Sequence, residues 1–225
     1  MSRCIRLLAL LPFRSPLYAQ PDARAGLRRL PALGSWIFLL FVSATIGHAM
    51  TVVPPTFDEL VAEAEQVVRV EIISTSSRIE AVGDGRVIRT YVRCRVGRSL
   101  KGNAGPELSL RLQGGQVGDL RMMIPGMPTF QAGERCVLFI EKNGQAFCPL
   151  VAAQHGRYRI QDDGTPGTDR VLRDNREPLL SIDQVRHPMH VTGTDLAQAA
   201  STALTLAAFE NQIALKVSEQ LRRAK

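Results

Sequence analysis

The sequence specifies a mainly β domain: a small closed antiparallel barrel, with a short helix before it and a longer helix after it. Three observations carry this expectation. Apolar residues recur at every second position in several short stretches beyond residue 66, the period of half-buried strands. Turn residues (Gly, Asn, Asp) separate those stretches. A helical period shows only near residue 60 and again after residue 204. Five or six short strands, one of them long and curling, fit a small closed barrel.

The chain opens with a segment that reads as something other than fold. Arg3, Arg6, Arg14, Arg24, Arg28 and Arg29 stand there against a single acid, Asp22. Trp36 to Ile46 is an apolar run, and Gly47-His48-Ala49 places small residues at the exit. Basic start, apolar middle and small-residue exit make a secretory signal peptide over residues 1–49, cut after Ala49. The apolar run is short for a spanning helix, which needs roughly 20 residues. An uncleaved N-terminal membrane anchor is the alternative. Otherwise the chain meets a membrane only transiently, through this segment, on its way to the periplasm or the medium. Six of the 28 basic residues and one of the 21 acids leave with it, so the +7 of the whole chain falls to +2. The basic balance is therefore poor grounds for a nucleic-acid partner.

Met50 begins the expected mature chain, with a barrel domain over residues 50–175. Extended Val52 to Pro55 leads into Thr56-Phe57-Asp58-Glu59, a capping-box pattern. It opens a short helix near 57–65 whose inner face is Leu60, Val61 and Ala64. Val68, Val70 and Ile72 then alternate with Arg69 and Glu71, and Gly83-Asp84-Gly85 turns the chain. In the next, long strand Ile88, Thr90, Val92, Cys94 and Val96 face one way. Arg89, Tyr91, Arg93 and Arg95 face the other. Leu108, Leu110 and Leu112 mark a third strand, stopped by Gly114-Gly115. A loop from Gln116 to Phe130 follows, with room for a short strand at 119–124. Ala132-Gly133-Glu134 turns into CVLFI, residues 136–140, apolar on both faces and so central and covered on both sides. Asn143-Gly144 is a hairpin signal, with a returning strand at Ala146 to Ala153. Arg157 to Ile160 is another strand, and Asp162 to Thr168 a polar turn. Residues 176–225 form an irregular linker and a C-terminal helix. Thr205 caps that helix, and Leu206, Phe209, Ile213, Val217 and Leu221 make its apolar stripe. The stripe either packs on the barrel, trails as a loose tail, or meets a partner or a membrane surface.

The runs FDELVAEAEQVV, SLKG, GG and IPGMPTFQAGERCVLFI resemble exported bacterial proteins of unknown function. The order VVRVEI, YVRCRVGRSLKG, FQAGERCVLFI also looks like the netrin-like domain, an OB-type barrel used by tissue inhibitors of metalloproteinases. Lys101-Gly102 and Gly133 to Ile140 occupy the places of that family's Lys-Gly strand end and later aromatic-aliphatic strand. The resemblance implies an OB-like (netrin-like) barrel. It does not carry the inhibitors' mechanism, because their N-terminal cysteine has no counterpart at Met50 and their disulfide framework is absent.

Chemistry is sparse. Cys94, Cys136 and Cys148 remain after export, enough for at most one internal disulfide. The hairpin expected at 135–151 puts Cys136 and Cys148 on opposite faces, which makes Cys94 the better partner for either. The other reading is three small buried hydrophobes. His187-Pro188-Met189-His190 would suit a soft metal, but proline interrupts any helix and no acid or thiol lies at ligand spacing. A continuous strand from Cys148 to His155 separates that pair by roughly 23 Å at ~3.3 Å per residue. Gly114, Gly115 and Gly118 lack the Lys-Ser/Thr of a phosphate loop. They serve either a ligand's close approach or a barrel corner. No catalytic residue, metal site or cofactor is expected.

The functional expectation is an exported, non-enzymatic binding module. Its surface combines Arg89, Tyr91, Arg93 and Arg95 with the loop residues Gly114, Gly115, Met122, Met123, Met127 and Phe130. Methionines make an adaptable apolar contact, and OB-type barrels bind on such a strand face. The loop serves equally as a plug for one end of the barrel, and the arginines as a solvated outer face. The partner is a protein or an anionic glycan or lipid surface, not nucleic acid. An inhibitor or companion of an exported protease is the second reading, by fold analogy, and a hydrolytic enzyme the third.

Overall fold

The computed structural model describes residues 53–165, 167–189 and 201–223. The expected signal peptide, residues 1–49, and His190 lie outside them. The described residues belong to one compact unit. Helix α1 is Phe57–Glu63, and its capping box forms as the sequence specifies. The Thr56 hydroxyl accepts from the Glu59 amide at 3.2 Å, and the Glu59 carboxylate accepts from the Thr56 amide at 2.8 Å.

Eight strands follow: β1 Gln66–Val82, β2 Gly85–Lys101, β3 Glu107–Gln113, β4 Gly115–Val117, β5 Leu120–Met122, β6 Arg135–Ile140, β7 Arg157–Gln161 and β8 Arg170–Arg173. The fold is mainly β and antiparallel throughout. Six strands form one sheet in the order β3-β2-β1-β6-β7-β8, and β4 and β5 pair as a separate small hairpin. The meander β1-β2-β3, with β6 returning beside β1, is a Greek key. β1 and β2 share a 17-residue ribbon broken by register shifts near Val67, Arg69 and Ile73. Such bulges bend a strand and raise its twist, which is how the ribbon curls.

Strand pairing does not join β3 to β8. The outer edge of β3 is instead taken by the loop after β6. The Asn143 side chain accepts from the Arg111 amide at 3.2 Å and donates to the Ser109 carbonyl at 2.8 Å. The Gln113 amide donates to the Phe147 carbonyl at 2.8 Å. This corrects the expected hairpin, because residues 146–153 are not a strand. Lys142 and Gly144 have positive φ, and the Gln145 and Ala146 amides both donate to the Lys142 carbonyl. That curls the loop toward β3 and away from β6. Only residues 149–151 run back along β6, through Glu141–Pro149 and Val151–Phe139 bonds around an Ile140–Leu150 bridge.

The expected short strand at 119–124 is narrower, Leu120–Met122, and pairs with an unforeseen β4. β8 was also unforeseen. β6 is covered on both faces, as its composition requires. Val137 and Phe139 enter one core with Leu60, Val61, Tyr158, Phe209 and Ile213. Cys136, Leu138 and Ile140 enter a second with Val70, Val92, Leu110 and Phe130. Helix α2, Leu206–Arg223, closes the first core. Phe209 stacks within 4.9 Å of Tyr158 and 5.9 Å of Phe57, centroid to centroid. The stripe therefore packs on the sheet through Leu206, Phe209 and Ile213, while Leu221 is exposed.

Candidate functional site

The site starts where β3 ends. Gly114 and Gly115 have φ of +95° and +128°, a region that favours glycine. They fold the chain back across the inner face of the β1-β2 ribbon. The Gly114 amide donates to the Ile88 carbonyl at 2.8 Å, and the Thr90 hydroxyl donates to the Gly114 carbonyl at 2.7 Å. Ser77 lies 2.9 Å from Thr90, oxygen to oxygen. The ribbon's inner face changes here from aliphatic residues to hydroxyls, and those hydroxyls satisfy the crossing backbone. The two glycines thus serve a bend in the chain itself.

Beyond the crossing, the β4-β5 hairpin lies against β1 and β2, and the Ile124–Met127 turn follows it. Between them lies a half-open cavity of about 230 Å³. Gly114, Gly115, Met122, Met123, Met127 and Phe130 all line it, with Thr75 and Thr90 on its floor. Phe130 is buried, Met127 packs on the second core, and Met123 is 75% exposed at the rim. The far wall is anchored by Arg157, which is fully buried. Its guanidinium sits 4.6 Å over the Phe130 ring, donates to the Thr129 carbonyl, and pairs with Asp174. Arg159 completes the anchor through Glu134. Pairing of this kind is what makes a buried charge tolerable.

The arginines of the expected surface are not part of this cavity. Arg89, Tyr91, Arg93 and Arg95 occupy the opposite face of β2, and each has an acidic partner. Arg89 meets Glu80 at 3.4 Å, Arg93 meets Glu107 at 3.3 Å, and Arg95 meets Glu71 at 3.1 Å. The Tyr91 hydroxyl donates to Glu80, whose carboxyl is held below its ordinary range chiefly by that bond. Arg98 reaches Glu210 on α2 at 2.6 Å. The face is a set of ion pairs across strands. The six cavity-lining residues and the four on the arginine-bearing face therefore form two separate places.

The thiols are buried. Cys94, Cys136 and Cys148 are free and share the second core, which corrects the expected placement of Cys136 and Cys148 on opposite faces. The loop after β6 is the reason, since it does not continue the hairpin alternation. Burial pushes the three thiols up to about 12, 12 and 11. His155 lies in a 3-10 turn, Ala153–Gly156, entered through left-handed Ala152 and Ala153, so no straight strand connects it to Cys148. It is buried, and desolvation, then the Arg173 charge, lowers its pKa to about 4. The carbonyls of His187 and Pro188 accept from Arg173. Among the described residues no three His, Cys, Asp or Glu side chains converge as a metal would need, and no helix is long and apolar enough to cross a membrane.

Sequence reasoning missed Thr75, Thr90 and Ile124 as lining, and Arg157 as the anchor of the wall. Thr90 left a signal, a hydroxyl at an inward position between Ile88 and Val92. Arg157 left none, because its partners are distant in sequence. No protein-family model matches the chain, and no curated protein matches its sequence.

Proposed function

We propose that the chain is an exported, non-enzymatic binding module whose site is the methionine-walled cavity between the Gly114-Gly115 crossing and Phe130. The observation that supports it is the convergence of those glycines, Met122, Met123, Met127 and Phe130 on one half-open apolar space. Its volume, about 230 Å³, is below the roughly 300–1,000 Å³ of drug-sized ligand pockets. An apolar side chain presented by a protein partner fits that size. Methionine walls adapt to such an anchor at little cost. The paired arginine face leaves little uncompensated positive charge, which favours a protein over an anionic glycan or lipid.

The OB-type, netrin-like reading of the fold rests on the Greek-key order and on the bent β1-β2 ribbon. The capping of β3 by the loop after β6 adds to it, since it places that loop where a closing strand would lie. A non-catalytic role draws on the thiols, which are overwhelmingly protonated near neutral pH and buried. Export rests on the pattern of residues 1–49.

The test is capture from an exported fraction with wild-type protein, Met123→Asp, and Arg89/Arg93/Arg95→Glu. Met123 is exposed, so its replacement leaves the fold intact. Loss of the captured protein with Met123→Asp, and retention with the arginine variant, is the expected result. The reverse pattern moves the site to the arginine face and overturns the reading.

A further inference from the structure

The outer edge of β1 is paired only over its first part. β6 covers residues 66–71, and the Ile72 amide and carbonyl bond to Glu134 and Gly133. From Thr75 to Val82, among the described residues, β2 is the only strand paired to β1. Val82 and Gly85 flank a two-residue turn, so they are a hydrogen-bonded pair. By alternation Ser76, Arg78, Glu80 and Val82 bond to β2. Thr75, Ser77, Ile79 and Ala81 point their N–H and C=O groups outward. The Ile88 carbonyl agrees with this parity: opposite Ile79, it faces away from β1 and accepts from Gly114. The stretch holds no proline, and its two charged side chains are of opposite sign, Arg78 and Glu80, paired with each other at 2.8 Å within the chain. Two of its apolar side chains, Ile79 and Val82, are 39% and 48% exposed.

We propose that this edge joins two copies of the chain, β1 to β1, antiparallel about a two-fold axis at Ile79. The charge pattern selects both the partner and the register. With the axis at Ile79, Arg78 stands opposite the partner's Glu80, and Glu80 opposite the partner's Arg78. Ser77 meets the partner's Ala81, and Ile79 meets the partner's Ile79 as a hydrogen-bonded pair. An axis at Arg78 sets arginine on arginine, and one at Glu80 sets glutamate on glutamate. Like charges directly opposite are destabilising, and opposite charges stabilising. Only the Ile79 axis makes the edge complementary to itself over its charged residues, and a shared two-fold surface is the commonest way for identical chains to close. The joined sheet runs through both molecules.

The experiment is size-exclusion chromatography with light scattering on the full chain over a dilution series. Wild type elutes as a dimer that dissociates on dilution. Arg78→Glu and Glu80→Arg each remove the dimer. Mixing those two variants restores it, because every cross-pair is then Glu on Arg. Ile79→Pro also removes the dimer and leaves the far-ultraviolet circular dichroism unchanged, since its N–H makes no bond to β2. If Ile79→Pro disturbs the fold, the mixing arm decides alone. A wild type that stays monomeric, a dimer that survives a folded Ile79→Pro, or a mixture that stays monomeric overturns the proposal. So does a monomer that takes up an unrelated extended peptide on this edge.

Discussion

A methyl group on Gly115 would stand 2.3 Å from the Thr90 hydroxyl and 2.5 Å from that of Ser77. Thr90 cannot retreat without releasing the Gly114 carbonyl, nor Ser77 without releasing Thr90. Backbone strain and overpacking then act together, and Gly115→Ala is expected to cost about 2–4 kcal/mol. Gly118 also has positive φ but nothing within 4 Å of its added carbon, so Gly118→Ala costs only about 1–2 kcal/mol. Urea midpoints of the two variants check the contrast, and equal losses would refute the crowding argument. Glu210 is the second residue whose surroundings decide its role. It is 4% exposed and meets Arg69 at 3.1 Å and Arg98 at 2.6 Å. Both guanidiniums are more than a third exposed, so water screens them and each pair is weaker than its burial implies. Glu210→Gln is expected to lower stability by about 1–2 kcal/mol in urea unfolding. The bend at Gly115 was one of the two readings its sequence allowed, but the role of Glu210 was not legible beforehand. Glu210 reads as a polar position on an amphipathic helix, and its two partners lie more than a hundred residues away.

At the scale of elements, legibility followed locality. The capping box of α1, the alternation of β2 and the two-faced apolar run of β6 each depend on near neighbours, and each formed as read. The Lys101-Gly102 pair ending β2 has instead a tertiary reason, in partners distant in sequence. The Lys101 ammonium donates to the Val61 and Ala62 carbonyls at the end of α1, and Gly102 passes where a side chain would meet the Glu65 carbonyl at 2.7 Å. The segment after β6 failed because its partner is not adjacent. Residues 149–151 and 157–159 run along β6 as one line from which residues 152–156 are looped out. Gly156 closes that loop so tightly that an added carbon would lie 2.6 Å from the Val151 carbonyl. His155 is buried in the loop with its pKa lowered from 6.5 to about 4. The unfolded chain therefore takes up this proton first. Stability from this group is full above about pH 6.5 and falls as pH drops toward 4. The loss amounts to about 3 kcal/mol across that window, at ~1.4 kcal/mol per unit. Denaturant titrations at several pH values should show this slope, and His155→Gln should flatten it. An unchanged slope in the variant would assign the acid sensitivity to other groups.

For the whole molecule, two cores on the two sides of β6 make the sheet interdependent with α2. Phe209 joins Phe57, Phe139 and Tyr158 in one aromatic cluster. Phe209→Ala is expected to cost about 3–5 kcal/mol, which is a large part of a domain's total stability. The second core explains how the chain keeps its thiols. Across β1, Cys136 lies opposite Val70, while Cys94 lies opposite Ile72. Two strand spacings and a two-residue offset along the strand therefore separate Cys94 from Cys136, more than about 9–10 Å between Cα atoms. A disulfide needs Cα atoms within about 7 Å. Cysteine counting alone left a bridge open, because only the strand order reveals that β1 stands between the two. All three thiols are therefore expected to be unreactive toward a polar thiol reagent in the native chain and fully reactive once it is denatured. The count then also tests export. Cleavage after Ala49 removes Cys4, so a processed chain titrates three thiols and an unprocessed chain four. Mass spectrometry of the labelled protein reads both facts at once. An unlabelled pair after denaturation would establish a disulfide and overturn the packing argument, whereas four labels with residue 4 present would leave the thiols reduced but refute cleavage.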